Sequence, residues 1–385
     1  MPAGSGDLVF LVAAFTLSIW FYLLLARGGF WRMREERLGA CPSNSPPRVA
    51  VIIPARNEAV SVAAAVTSVL LQDYPGLFQV FLVDDHSTDD TAHVARGAAR
   101  DAGKSGLLEV VPAPPLPPGW TGKLWALSEG IRRAESFQPD SYWFTDADVV
   151  HSPCTLAKLV AKAESGWDLV SLMVKLRCET FAEKAAVPAF LFFFFKLYPP
   201  VWISDRGRTA AGAAGGCLLA RREALERAGG IEAIRSEVID DCALAREVKR
   251  SGGKIWLGLT SASHSIRGYG TFTAVAGMIS RTAYTQLSYS SLLLAGTVAG
   301  MFVTYLLPPL LALTAKPPAA ILGGLAWLLM SVTYAPSLRF YGRFVLWAPV
   351  LPLVALFYTG ATVASAVRYW SGRGAAWKER FQATP

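Results

Sequence analysis

The sequence predicts an α/β domain on a mostly parallel sheet, set between an N-terminal membrane anchor and a group of C-terminal membrane helices. Three observations lead there. Between about residues 48 and 250, short apolar runs alternate with helical stretches. Leu8 to Ala26 is nineteen residues without a charge, and further apolar runs follow residue 286. Of 385 residues, 52% are hydrophobic and 17% charged, against roughly 25% charged in a soluble domain. That balance excludes a disordered or polar-linker chain.

The formal net charge of +8 suits either a membrane or a nucleic acid, and the placement of the charges decides between them. No acidic residue lies between Val248 and Lys378, while eleven basic ones are spread thinly along that most apolar third. The rest of the chain carries a slight acidic excess. No basic stripe that would track phosphates is present, so no nucleic-acid partner is expected.

Leu8 to Ala26 follows Asp7 and precedes Arg27, Arg32, Arg34 and Arg37. This is the charge pattern of an uncleaved anchor, residues 1–27, with the N-terminus outside and the rest cytoplasmic. Residues 28–47 read as a basic, Pro-containing linker, and residues 48–286 as one cytoplasmic domain. Within 287–367 the runs Leu287 to Leu313, Ala319 to Ala335 and Val345 to Val367 supply two or three further segments. Three crossings would put the basic tail, 368–385, outside, against the positive-inside tendency, so one run is open to a re-entrant or interfacial reading. The five cysteines show no metal or disulfide spacing, which suits a reducing compartment.

Within the domain, Val49 to Ile53 is a buried strand, Pro54-Ala-Arg-Asn-Glu58 a loop, and the stretch to about Gln72 a helix. Val80 to Val83 is a second strand, ending on Asp84-Asp85. Ser87 and Asp90 are spaced as a capping box for the next helix. A third strand near Leu107 to Val111 leads through a Pro-rich stretch to Gly122-Lys123 at the start of a helix that runs to about Ala134. Tyr142-Trp143-Phe144 is a fourth strand, ending in Thr145-Asp146-Ala147-Asp148, with Ser152-Pro153 as cap and first residue of a following helix. Two strand ends thus bring four carboxylates to the sheet edge where α/β domains bind ligands.

An isolated acid at a strand end often only terminates the strand or caps a helix. An Asp-x-Asp pair on such a turn can also offer two hard oxygens to Mg²⁺ or Mn²⁺. Gly122-Lys123 can meet phosphate at a helix start, but lacks P-loop spacing, and no G-x-G-x-x-G follows the first strand. Gly212 to Gly216 reads as a loop of close backbone approach before a strand, or as a plain turn. Asp240-Asp241 opens a helix to about Arg250, where the acids either complement the helix dipole or act as a base. Val187 to Phe195 is nine apolar residues, too short to span. With Lys196, Tyr198 and Trp202 it fits an interfacial segment, 187–203, or a buried helix. His264 is either a third metal ligand or a surface histidine.

Taken in order, Pro54-Ala-Arg-Asn-Glu58, Val83-Asp-Asp-His-Ser-Thr-Asp89, Gly122-Lys123, Asp146-Ala-Asp148, Gly215-Gly216 and Asp240-Asp241 resemble the family 2 inverting glycosyltransferases of the GT-A fold. Gly119-Trp-Thr-Gly-Lys-Leu-Trp125, the Phe-rich run and Ser280 to Leu287 look like the bacterial hopanoid-biosynthesis-associated members. The resemblance implies a nucleotide-sugar donor, a lipid acceptor, a divalent metal (Mg²⁺ or Mn²⁺), and a multi-pass enzyme of the bacterial inner membrane with its catalytic domain cytoplasmic. It places Pro54, Ala55, Glu58 and Asp85 in the nucleotide pocket, Lys123 on the diphosphate, Asp146 near the ribose and Asp148, with Asp146, on the metal. Gly215 and Gly216 open the acceptor site, and Asp241, preceded by Asp240, is the general base.

Three positions depart from the family pattern. Asp240 stands where the family has Glu, and Ser128 where it often has Asn. Of the Gln-x-x-Arg-Trp of processive synthases only Arg281 survives, which implies transfer of a single sugar with Arg281 on the diphosphate. Ceramide- or polyprenyl-phosphate-type transferases remain alternatives, as does a nucleotide-binding subunit of a lipid transporter. The apolar segments carry no Asp or Glu for ion coupling, which disfavours the transporter.

Overall fold

The structure, a computed structural model, describes residues 5–35, 39, 45–372, 376–377 and 380–381. Arg37 and part of the 28–47 linker, and Arg373 and Lys378 of the basic tail, lie outside the described residues. The chain forms two compact units. One comprises Arg34–Arg177, Trp202–Gly268 and Gly374–Pro385, the other Met1–Met33, Cys178–Val201 and Tyr269–Arg373. Residues 187–201 and 269–286 therefore cluster with the helices.

The first unit holds an eight-stranded sheet of β1 (Val49–Ala55), β2 (Phe78–Asp84), β3 (Leu108–Pro112), β4 (Ser141–Thr145), β5 (Val149–His151), β6 (Leu169–Lys175), β7 (Cys217–Arg221) and β8 (Ile255–Ser265), in the order β3-β2-β1-β4-β7-β6-β8-β5. The pairs β3/β2, β2/β1, β1/β4 and β6/β8 are parallel, while β7 runs antiparallel to both β4 and β6, and β5 to β8. The strand, loop and helix alternation read from the sequence is thus the parallel half, and β7 turns the sheet into a mixed one. All seven residues of β1 are buried, as expected of a central strand covered on both faces. One contiguous core joins Val51, Ile53, Val66, Leu82, Trp143, Leu159, Val170 and Leu219, and each such aliphatic side chain contributes about 1.5–3 kcal/mol on burial.

Two helix starts differ from the sequence reading. Ser87 and Asp90 form no capping box, because Ser87 Oγ accepts Asn57 N–H at 3.0 Å. The helix begins instead at Thr91, whose N–H is taken by Asp89. After Asp148 the chain pairs as β5 before turning, so the next helix starts at Thr155. The helix Gly122–Ala134 has the predicted limits. It lies so close to β1 that a Cβ on Gly130 would stand 2.5 Å from Ile52 Cγ2.

The second unit contains helices Ser5–Leu25, Phe181–Leu197, Phe272–Ser280, Ser291–Met301, Leu307–Thr314, Ala319–Phe340 and Leu351–Trp370. Among the described residues, five segments are long and apolar enough to cross a membrane: Gly6–Leu25, Phe181–Ser204, Ser291–Thr314, Ala319–Phe340 and Val345–Trp370. The second is far longer than the nine residues read from its apolar run. It starts at Thr180, which with Glu183 forms a complete capping box. The strands before and after it, β6 and β7, are neighbours in one sheet.

Candidate active site

The site is built at the carboxyl ends of β1, β2 and β4. The loops after β1 and β2 interlock. Thr88 N–H donates to Asn57 Oδ1 at 2.8 Å, Glu58 N–H to Thr91 Oγ1 at 2.8 Å, and Ala59 N–H to Asp89 Oδ2 at 3.0 Å. Asn57 and His86 hold left-handed backbone at φ 50° and 52°, a conformation that Asn and His tolerate better than most residues. Asp85 is fully buried, its N–H bonded to Ala55 O, with Arg56 Nη1 3.9 Å from its carboxylate. Pro54 and Ala55, the last residues of β1, and Glu58 and Asp85 on the two interlocked loops, all predicted nucleotide-pocket residues, therefore lie together at this sheet edge.

The antiparallel pairing of β4 with β7 sets Thr145 opposite Cys217. This brings the turn Asp146-Ala147-Asp148 beside Gly215-Gly216. A buried chain of hydrogen bonds fixes the turn: Ser263 Oγ to His151 Nδ1 at 2.8 Å, His151 Nε2 to Thr145 Oγ1 at 2.7 Å, and Thr145 Oγ1 to Gly216 O at 3.0 Å. Burial first, and His264 second, push the His151 imidazole down to about 3, so the ring is neutral and serves as scaffold. The Gly loop is tied from below, where Ser171 Oγ donates to Ala214 O and accepts Ala214 N–H.

Asp240 and Asp241 open the helix Asp240–Arg250, as predicted. Asp241 Oδ2 accepts Gly215 N–H at 2.8 Å and Oδ1 accepts Cys242 N–H at 2.7 Å. Lys123 Nζ lies 3.1 Å from Asp146 Oδ1 and 3.1 Å from Asp240 Oδ2. Pro54, Lys123, Asp146, Gly215, Asp240 and Asp241 line one cleft. Burial raises the Asp241 carboxyl and Asp240 raises it further, against the pull of Lys123 and the two backbone amides, to about 6. For Lys123, burial disfavours the charge, but Asp146, Asp240 and Asp241 outweigh it and the pKa is raised. Asp241 is thus a carboxylate held above the ordinary aspartate range.

Arg267 was not singled out in the sequence. Its Nε donates to Asp148 Oδ2 at 2.8 Å and its Nη2 to Glu58 Oε1, so one guanidinium joins the Asp-x-Asp turn to the loop after β1. Ser265 Oγ also donates to Asp148 Oδ2, at 3.0 Å. Alternation along β8 was the available signal, since Ser263 and Ser265 point inward while His264 between them is exposed. His264 therefore takes the surface reading. Ser128 Oγ bonds Glu232 Oε1 at 3.0 Å. Arg281 belongs to the helical unit, just past the helix Phe272–Ser280.

Among the described residues, no group of three or more His, Cys, Asp or Glu surrounds a common point. Asp148 gives Oδ2 to Ser265 and Arg267 and keeps Oδ1 outside that network. This donor set fits a hard divalent ion that takes one or two carboxylates and completes its shell with phosphate oxygens and water.

Residues 46–268 match the family model described as glycosyltransferase like family 2. An undecaprenyl-phosphate 4-deoxy-4-formamido-L-arabinose transferase of Enterobacter sp. (strain 638) is 30% identical over 145 residues, 36% of this chain and 40% of that protein. The match thus spans well under half of that relative's length. Among solved structures, a mannosyltransferase from Pyrobaculum calidifontis in complex with GDP-Man and Mn²⁺ is similar over 94% of this chain and 99% of its own, with TM-score 0.58 and 20% identity. Glucosyl-3-phosphoglycerate synthase from Mycobacterium tuberculosis matches over 63% of this chain and 79% of its own at TM-score 0.41 and 22% identity.

Proposed function

The chain belongs to glycosyltransferase family 2 and has the GT-A fold, and from that premise we propose that it is a membrane-bound inverting transferase moving one sugar from a nucleotide-diphosphate sugar to a lipid acceptor. The observation that carries the reading is the position of Lys123 between Asp146 and Asp240. It puts the residues assigned to the donor and the base helix in one cleft. In this reading Asp241 takes the proton of the acceptor hydroxyl as its oxygen attacks the anomeric carbon. The bond to the diphosphate breaks on the opposite face, and the diphosphate departs with the electron pair. Asp240 keeps Asp241 basic, and Gly215 N–H fixes its orientation. Lys123 turns its charge to the donor phosphates. Asp148 with Asp146 would hold a divalent ion, Mg²⁺ or Mn²⁺, which would supply further positive charge for the leaving diphosphate.

Pro54, Ala55, Glu58 and Asp85 hold the nucleotide, Gly216 with Gly215 leaves room for the acceptor, and Arg281 contacts the diphosphate. The absence of Gln-x-x-Arg-Trp supports a single transfer. The helices and the basic flank after Leu25 support a multi-pass protein of the bacterial inner membrane with this domain cytoplasmic. The acceptor suggested by the sequence is a hopanoid hydroxyl. A polyprenyl phosphate is the second reading, supported by the name of the Enterobacter relative. The test offers membranes containing the protein a panel of labelled sugar nucleotides with hopanoid, ceramide and polyprenyl-phosphate acceptors. Lipid-linked label that requires Mg²⁺ or Mn²⁺ is expected, and label only in long polysaccharide would refute the single transfer.

A further inference from the structure

One buried hydroxyl in the sheet serves the base rather than the strand that carries it. Strand β6 reads Leu-Val-Ser-Leu-Met-Val-Lys, and Ser171 interrupts its apolar run while being fully buried. It pairs with Leu218 on β7 and with Leu257 on β8, so strands flank it on both sides and the ladder has no use for its side chain. A hydroxyl in such a place is unfavourable unless it is hydrogen-bonded.

Ser171 Oγ bonds a single residue twice. It accepts Ala214 N–H at 2.7 Å and donates to Ala214 O at 3.0 Å. That carbonyl belongs to the same planar unit as the N–H of Gly215, and in a trans peptide the two point in opposite directions. Held on its oxygen side by Ser171, the unit aims the Gly215 N–H away from the serine, and the atom it reaches is Asp241 Oδ2 at 2.8 Å. One rigid plane thus carries a restraint from the middle of β6 to the base.

Little else keeps this plane from turning over. Glycine at 215 accepts either sign of φ. The next turn bond, from Cys217 N–H to Ala214 O, is 3.5 Å long, the outer limit for such a bond. Thr145 Oγ1 holds Gly216 O at 3.0 Å, which anchors the far end of the loop and leaves the Ala214–Gly215 unit to Ser171. Turned over, that unit would present its carbonyl oxygen to the Asp241 carboxylate, and the base would lose a donor and face a repelling dipole.

We propose that Ser171 is a positioning residue for the transfer: through the Ala214–Gly215 peptide it holds Asp241 in the orientation from which it meets the acceptor hydroxyl. The inference rests on the assignment of Asp241 as base. The charged groups that face Asp241, namely Asp240 on its own helix and Lys123 on the helix Gly122–Ala134, are untouched by a change at Ser171.

The test uses the full-length chain with Ser171→Ala. Transfer of labelled sugar to lipid near neutral pH should fall about tenfold. The acid limb of its pH profile should move to higher pH, because a carboxylate that loses an N–H donor is a weaker acid. The nucleotide Kd, read by calorimetry, should equal the parent's, which shows that the donor side is folded. A residue that served only the stability of the sheet would lower the melting temperature and leave the limb in place. Ser171→Cys, close in volume and a weaker hydrogen-bonding group, should shift the limb the same way by less, and stands in for Ser171→Ala if that variant does not fold. An acid limb identical to the parent's in the variants that fold overturns the proposal. Hydrogen exchange, read by mass spectrometry without substrate, keeps this separate from the transferase reading. The segment 212–216 should exchange about tenfold faster in Ser171→Ala, and unchanged exchange there refutes the role of Ser171 alone. Faster exchange in a protein whose parent transfers no sugar refutes the transferase reading alone.

Discussion

Lys123 Nζ lies 3.1 Å from Asp240 Oδ2, so the lysine that opens one helix is the counter-ion of the acid that opens another. The same ammonium meets Asp146 Oδ1. A diphosphate entering the cleft competes with both carboxylates for Lys123. If it wins, Asp241 loses the positive charge that holds its pKa down, and the base strengthens as the donor binds.

The pH profile tests this arrangement. With the Asp241 carboxyl near 6, kcat/KM should fall with unit slope as pH drops below about 6, because the base is then protonated. Lys123→Gln removes a charge that lowers this pKa and should move the limb to higher pH. Asp240→Asn removes one that raises it and should move the limb to lower pH. Limbs that coincide in all three proteins would refute the coupling.

Asp241→Asn should lower kcat by about 10²–10⁴-fold, the usual worth of a positioned base. Nucleotide binding, followed by calorimetry, should be retained, because the amide preserves size and can still accept Gly215 N–H. Undiminished transfer would sink the base assignment.

Asp148→Asn should weaken Mn²⁺ binding, measured by electron paramagnetic resonance, by tenfold or more. Chelation should abolish transfer by the parent protein, with Mg²⁺ or Mn²⁺ restoring it. Mn²⁺ affinity unaltered in Asp148→Asn would remove this residue from the metal site.

Arg267→Ala leaves Asp148 and Glu58 facing each other without their shared cation. A loss of about 1–3 kcal/mol in stability is expected, with weaker nucleotide binding, since the loop holding Glu58 is then no longer tied to the Asp-x-Asp turn. A thermal midpoint and a nucleotide Kd both equal to the parent's would show that the bridge is idle.

Gly130→Ala puts a methyl group where 2.5 Å separates the built Cβ from Ile52 Cγ2. Overpacking of this kind costs about 1–3 kcal/mol. The helix it displaces carries Lys123, so kcat should fall along with the melting temperature. A variant with normal stability and normal kcat would show that the helix has slack.

The sequence by itself determined what depends on neighbours along the chain. The apolar runs marked four of the five helices long and apolar enough to cross a membrane among the described residues, and β1, β2 and β4 could be read from their continuous apolar runs. The helices at Gly122 and Asp240 followed from capping and from the change in hydrophobic period. Motif order also sufficed for the family and for most of the cleft, because each short motif marks one strand end or one helix start. Tertiary structure alone decided what depends on which strand lies next to which. The antiparallel insertion of β7 sets Gly215 against Asp241 and the Asp-x-Asp turn. The end of β8 delivers Ser265, and the residues just past it Arg267, to Asp148. Helix packing also turns Lys196 toward Tyr305. Hydrophobic period and turn chemistry act over a few residues, whereas these groups are paired across about 26 to 119 residues by sheet order and helix packing, which no local pattern encodes.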